Sequence, residues 1–420
     1  MQPFGIKNLY KYKMMKNLKL FLYLIPFFLM ACNACSAQQK QSTNEKKAIV
    51  KSTEILTGAD QTENYVYLLK GKKVGLVINQ TAEINGIPLV DTLKSLGINI
   101  KAIFGPEHGF RGDADAGEKV GNYIDSKTGF PVISLYGAKQ APTKDDLKDL
   151  DILVFDIQDV GARFYTYTIT LARVMQACAE NKVPLMVLDR PNPTGNLIDG
   201  PILDLKFKSG VGMHPIPIAH GLTTGEFAKM VNGENWLANG IKCDLSVIKL
   251  ANYNHSKEYI LPVKPSPNLP NNLSIYLYPS LCLFEGTVIS QGRGTNFPFQ
   301  VIGHPLLKDK YQFSFTPVSI VGMSKNPPLE NQICYGIDFR NTNEENLRKQ
   351  SKLNLKLLVD IYQQYPDKAN FFNAFFNKLA GNDTLMQQIK DGKTEKEIRA
   401  TWQAGLSNYL EKRKKYLLYP

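Results

Sequence analysis

From residue 73 onward the sequence repeats one rhythm: a short run of branched apolar residues closes on Gly, Pro, Asn or Asp, and a stretch with helical apolar spacing follows. That alternation specifies α/β order, with strands and helices packed in layers. The runs at 74–78, 100–104, 132–135, 152–155, 185–188 and 216–219 are apolar almost throughout, which predicts strands covered on both faces, as in a parallel sheet. Helices are predicted over 89–96, 144–150, 166–181 and 224–232 from i, i+3, i+4 spacing, with Thr224 as the expected N-cap of the last, and 243–250 reads as a further strand. After about residue 255 the character changes. Prolines gather at Pro262, Pro265, Pro267, Pro270 and Pro279, and mixed short strands and loops precede helices expected at 354–365, 368–379 and 395–412. Because 420 residues exceed what one core usually organises, the expectation is two α/β domains: a mostly parallel sheet domain over 55–255 and a smaller mixed domain over 256–420.

The amino terminus reads differently. Residues 16–32 place lysines before an uncharged apolar stretch, 20–31, the pattern of a signal peptide. The stretch is interrupted by Pro26 and is shorter than the roughly 20 apolar residues a membrane span needs. Leu29-Met30-Ala31-Cys32 resembles a bacterial lipobox, which would make Cys32 the lipidated mature terminus; the competing reading is cleavage after Ala37 and a soluble product. Residues 1–37 are thus expected to direct export to the cell envelope, the periplasm, with 38–54 as a polar tether. Of the net charge of +12, five units come from Lys7, Lys11, Lys13, Lys16 and Lys19, leaving +7. That excess suits anionic polymers, but no basic stripe interleaved with aromatics points to nucleic acid. Cys178, Cys243, Cys282 and Cys334 lie far apart without C-x-x-C spacing; they read as buried small hydrophobes, with one disulfide compatible with the compartment.

In an open parallel sheet, ligands bind beyond the carboxyl ends of the strands. Four of the predicted ends are rich in polar groups: Glu107, His108 and Arg111; Asp156, Gln158, Asp159, Arg163, Tyr165 and Tyr167; Asp189 and Arg190; and His220. A glycosidase needs one carboxylic acid to protonate the leaving oxygen and usually a second carboxylate on the other face of the sugar. Glu107, Asp156, Asp159 and Asp189 qualify by position. Glu107 is the first choice as acid, since Pro106 and Phe110 beside it suggest an apolar pocket; the alternative is a carboxylate ion-paired to Arg111 or Arg163. Arg163, Arg190 and Arg293 are candidates for gripping an anionic ligand, or equally for pairing with the aspartates. Tyr165 and Tyr167 either stack on sugar or pack into the protein, and the histidines either orient groups or are structural. The acidic run Asp113, Asp115, Glu118 lacks a full calcium-loop pattern. No G-x-S-x-G, H-E-x-x-H, Walker loop or G-x-G-x-x-G is present, which disfavours serine hydrolases, zincins, nucleotide hydrolases and ordinary dehydrogenases.

Taken together, Asn79-Gln80-Thr81, the stretch 105–112, the stretch 156–167, Asp189-Arg190-Pro191-Asn192-Pro193, the stretch 265–270, Glu285-Gly286-Thr287, Gly292-Arg293-Gly294-Thr295 and Pro298-Phe299 resemble the NamZ-type exo-β-N-acetylmuramidases over roughly 55–420. The resemblance implies a Rossmann-like amino-terminal domain, a smaller α/β domain completing an interdomain cleft, and release of N-acetylmuramic acid from β-1,4-linked peptidoglycan saccharides without metal or organic cofactor. It implies Glu107 as the cleft glutamate, with Asn268, Glu285, Arg293 and Thr295 reaching the same cleft. Asp159 or Asp156 would activate water or orient the substrate's acetamido group. Two other readings stay open: a lipoprotein that binds cell-wall sugars without turnover, and an amidase or deacetylase on the same polymer.

Overall fold

The computed structural model describes residues 53–107, 109–111 and 121–420. The signal and lipobox segment with Cys32, the tether up to Ser52, His108 and the acidic run with Asp113 lie outside the described residues.

The apolar runs at 74–78, 152–155 and 185–188 become strands buried on both faces, whereas 245–248 at the sheet edge is only partly buried. Strands β1 (Lys73–Ile78), β2 (Asn99–Gly105), β3 (Tyr123–Ile124), β4 (Pro131–Ser134), β5 (Ile152–Asp156), β6 (Leu185–Leu188) and β7 (Leu245–Ile248) form one sheet in the order β7-β6-β5-β1-β2-β4-β3. Every pairing is parallel except β3 with β4 at one edge. Gly75 allows the close packing at the centre: a Cβ there would stand 2.5 Å from Leu153 and 2.7 Å from Leu150. From β1 the chain runs outward through β2 and β4 on one side and through β5, β6 and β7 on the other. The order reverses between β1 and β5, and a crevice opens beyond their carboxyl ends.

Helices α1 (Leu89–Ser95), α2 (Tyr167–Asn181) and α3 (Thr224–Gly233) follow the expected spacing. The N-cap of α3 is Thr223, not Thr224: its hydroxyl accepts from Glu226 N–H while Glu226 accepts from Thr223 N–H, a reciprocal capping box. The run 216–219 is not a strand of the main sheet. Pro215 and Pro217 have no N–H to give to a ladder, so the segment is buried as irregular chain, and only Ala219–His220 pairs, antiparallel, with Ile198–Asp199.

The carboxy-terminal part carries the three-stranded antiparallel sheet β8 (Val301–His304), β9 (Phe313–Phe315) and β10 (Cys334–Asp338), with β10 central. Around it stand α4 (Asn272–Leu281), α5 (Leu355–Gln364), α6 (Phe376–Ala380) and α7 (Glu395–Lys414). Helix α4 arises inside the proline-rich stretch because Asn271 caps it in a reciprocal box with Ser274; Pro279, inside its last turn, withholds one N–H from the i−4 carbonyl. The helix expected over 368–379 is broken into a 3-10 turn, Lys368–Asn370, and the short α6. One apolar core is continuous from Leu153 and Phe155 of the main sheet to Phe284, Phe376 and Tyr409. Cys178, Cys243, Cys282 and Cys334 are buried free thiols.

Candidate active site

The crevice at the strand-order reversal is built from short polar tethers. Thr81 after β1 donates to Asn79 Oδ1 at 2.6 Å and accepts the Gln158 N–H at 3.0 Å, which locks the β1 and β5 loops together. Gln80 donates to the carbonyls of Lys264 and Pro265, and the Tyr165 hydroxyl donates to the Pro265 carbonyl at 2.8 Å. The proline-rich segment 264–269 is thereby pinned across the strand ends and becomes the opposite wall.

Between these walls lies a cleft of about 140 Å³. From the sheet side it is lined by Glu107, Phe164, Tyr165, Thr166 and Tyr167, and from the other side by Ser266, Asn268, Tyr278, Glu285, Arg293 and Phe299 among others. Half-buried Glu107 receives a hydrogen bond from the Thr166 hydroxyl at 3.0 Å on Oε2. Its other close neighbour is Tyr136, whose phenol is pushed up to about 12 by burial and by the Glu107 carboxylate to which it hydrogen-bonds. Two hydroxyls thus hold this carboxyl; Phe110, expected beside it, turns into the core instead.

Tyr278 organises the aromatic floor, edge-on to Phe164 at 5.4 Å, Tyr165 at 5.9 Å and Phe299 at 4.9 Å. Tyr165 and Tyr167 meet edge to face at 4.9 Å, so both pack and both line the cleft. On the far wall Arg293 donates twice to Glu285 Oε1, at 2.9 and 2.7 Å, and its guanidinium lies 5.0 Å from the Phe299 ring. Burial alone would lower the Arg293 pKa; Glu285 outweighs it and raises it. Asn268 donates to the Met323 carbonyl at 2.8 Å, leaving its buried Oδ1 without a hydrogen-bond partner among the described residues. Thr295 is one step back: its hydroxyl donates to the Gly292 carbonyl at 2.6 Å and shapes the turn that carries Arg293.

Several expected ligand contacts have structural tasks instead. Asp156 is fully buried and gripped by both Nε and Nη2 of Arg190, so neither side chain faces the cleft. Asp156 more than offsets the loss of basicity that burial would impose on Arg190. Asp189 accepts from Arg190 N–H, Gly225 N–H, Thr223 and Tyr419, tying β6, the start of α3 and the carboxy-terminal tail. Gln158 donates to the carbonyls of Asp159 and Pro191. Arg111 forks onto Asp125 and covers Phe110. Arg163 is buried and donates to the carbonyls of Pro201, Ile216, Leu379 and Ala380, each at 2.8 to 2.9 Å. It is a main-chain staple between the sheet part and the end of α6, and burial pushes its pKa down to about 9.

Asp159 and His220 lie behind the tyrosine pair. Asp159 Oδ2 accepts the Gly161 N–H at 2.7 Å and stands 3.5 Å from His220 Nε2, while His220 Nδ1 accepts from Leu222 N–H. That assigns the ring proton to Nε2, facing the carboxylate. Gly161 is required here: its φ is +80°, and a Cβ would stand 2.4 Å from Asn192 and 2.3 Å from Thr194. Thr166, Tyr136, Tyr278 and Phe299 were not among the expected contacts. Tyr136 directly follows the 132–135 run and was reachable by the strand-end rule; Tyr278 and Phe299 arrive through long-range packing that no local spacing encodes.

Fold and cleft together define an α/β protein with a carboxylate-bearing, aromatic-floored crevice, a class suited to a compact polar ligand. The chain matches the family model for the exo-β-N-acetylmuramidase NamZ amino-terminal domain over residues 74–273 and the model for the NamZ carboxy-terminal domain over 276–419. It is 40% identical over 396 residues to the peptidoglycan β-N-acetylmuramidase NamZ of Bacillus subtilis (strain 168), covering 90% of this chain and 94% of that one. Two crystal structures of DUF1343 family proteins from Bacteroides fragilis NCTC 9343 superpose on it. One has TM-score 0.81 and 48% identity, covering 87% of this chain and 99% of the other; the second has 0.76 and 30%, covering 88% and 100%. The chain belongs to the NamZ exo-β-N-acetylmuramidase family.

Proposed function

We propose that this protein is a glycosidase that releases N-acetylmuramic acid from the non-reducing end of β-1,4-linked peptidoglycan fragments, with Glu107 as general acid. The observation that carries this is the placement of Glu107. It is half-buried in the crevice between the two parts, faces an aromatic floor, and is held through Oε2 by Thr166. A carboxyl held in a fixed orientation by hydroxyl donors at the cleft can deliver its proton to a leaving-group oxygen. Aromatic faces beneath it suit the apolar face of a sugar ring. Arg293, the cation of the cleft lining, is positioned to meet the lactyl carboxylate that distinguishes muramic acid from its neutral neighbours. Glu285, tied to Arg293, is the second carboxylate of the cleft lining, while Asp159 stands back from the cleft beside His220 and acts as a positioning group. Asn268 Oδ1 offers an acceptor for a hydroxyl or amide N–H of the substrate.

The test is incubation of the purified protein with N-acetylmuramyl-β-1,4-N-acetylglucosamine, with products followed by mass spectrometry. Free N-acetylmuramic acid is the expected product; binding without turnover would make the protein a sugar receptor. The amino-terminal sequence supports a further reading, that Cys32 carries lipid and holds the enzyme at the envelope membrane. Palmitate labelling of cells should mark the wild-type chain and not Cys32→Ala; equal labelling of both would exclude this anchor.

A further inference from the structure

A second cavity, of about 270 Å³, opens next to the cleft. The two share one loop and one helix. Val211 lines the cleft while Lys208, Met213 and His214 of the same loop line the cavity, and α2 runs from Tyr167 in the cleft to Arg173, Gln176 and Ala177 in the cavity. Six residues of helix at about 1.5 Å each put Arg173 roughly 9 Å along the axis from Tyr167.

The charge of this cavity is unspent. Arg173 is half-buried and, among the described residues, makes no side-chain hydrogen bond or ion pair; burial lowers its pKa. Exposed Lys208 likewise makes no ion pair among the described residues, and the one carboxylate of the lining, Glu180, is exposed and accepts from Gln176. The back wall is His214 stacked on Trp236 at 5.1 Å; burial and Lys208 push His214 down to about 4, so it adds a neutral surface at ordinary pH. A guanidinium half out of water without a counter-charge is costly unless an anion completes it.

We propose that this cavity is a downstream subsite that takes the carboxylate of a second muramic acid, with Arg173 as its principal contact and Lys208 beside it. The inference rests on the muramidase reading of the cleft. In a chain where acid-bearing and neutral sugars alternate, the next carboxylate lies two sugars beyond the terminal one, on the same strand of polymer that leaves the cleft. A site beside the cleft, cationic and closed by an indole, fits that acid group and gives the enzyme preference for chains over disaccharides.

Calorimetric titration separates the possibilities. The Glu107→Gln protein, which holds saccharide without cleaving it, is titrated with the disaccharide and with the tetrasaccharide of two repeats, alone and combined with Arg173→Gln, Arg173→Lys or Lys208→Gln. The tetrasaccharide should bind about tenfold tighter than the disaccharide, as one charge-assisted contact provides. Arg173→Gln should abolish that gain and leave the disaccharide unchanged, Arg173→Lys should keep part of it, and Lys208→Gln should reduce it less. A gain that survives Arg173→Gln, or equal weakening of both saccharides, overturns the subsite while the cleft reading stands. If wild type neither binds nor cleaves the disaccharide, the cleft reading fails and the subsite falls with it.

Discussion

Glu107 at the end of β2 and the aspartates at the ends of β5 and β6 occupy equivalent places in the sheet, yet they have opposite surroundings. Asp156 and Asp189 are fully buried, one forked by Arg190 and the other held by four donors. Glu107 is half-buried and is held by hydroxyls. The difference comes from what covers each end. The Tyr419 tail closes over Asp189 and Arg190 folds onto Asp156, whereas the segment 264–269 opposite Glu107 bridges the crevice without filling it. A carboxylate after a strand marks a position; its cover decides whether it becomes structure or chemistry.

The sharpest way to break this contrast is to neutralise both kinds of acid. Glu107→Gln should lower kcat by about 10² to 10⁴-fold, the range for loss of a general acid, with the melting temperature little changed. Asp156→Asn should do the reverse, destabilising the fold by about 3–5 kcal/mol because Arg190 would be left buried and unpaired. Urea unfolding beside initial rates checks both; a stable Asp156→Asn protein with lost turnover would return Asp156 to the catalytic set.

The main sheet was legible because five of the six apolar runs assigned to it are apolar almost throughout and proline-free, while 216–219 carries Pro217 inside it and Pro215 before it, and is the one that failed. The rim was legible as a rim, since residues such as Glu107 and Asp159 follow strands directly. Which of them face ligand was not. That depended on Arg163 finding four carbonyls, two of them more than 200 residues away, and on Tyr278 arriving from a helix hidden among prolines. Such partners are set by tertiary packing, which local periodicity does not encode.

Outside the rim, His214 sharpens the comparison, since it is buried against rings rather than bonded to charge. Its folded pKa of about 4 lies below the ordinary 6.5. As pH falls through that window the unfolded chain takes up a proton that the folded one refuses. The contribution is therefore intact above about 6.5 and lost on acidification toward 4, by up to about 3 kcal/mol at 1.36 kcal/mol per unit. Unfolding free energies at pH 4.5 and 7.5 should show this slope in wild type and a flatter one in His214→Phe, which keeps the stack; an unchanged slope would assign the acid sensitivity elsewhere.

The smallest effect tests the comparison most finely, because it sets two threonines of the same local role against each other. Thr166 and Thr223 both stand at helix N-caps. Thr223 spends its hydroxyl on the helix, accepting from Glu226 N–H, and on Asp189. Thr166 makes no side-chain cap at all and gives its hydroxyl to Glu107. Thr223→Val should therefore cost about 1–2 kcal/mol of stability, as loss of a cap does, and leave kcat within twofold of wild type. Thr166→Val should leave stability nearly unchanged and lower kcat about five- to tenfold, the worth of one hydrogen bond that fixes the acid, with KM moved less than kcat. Thr166→Ser, which restores the donor, should recover most of the rate. If Thr166→Val instead unfolds the protein and spares turnover, the hydroxyl serves the helix after all, and the orientation of Glu107 must come from Tyr136.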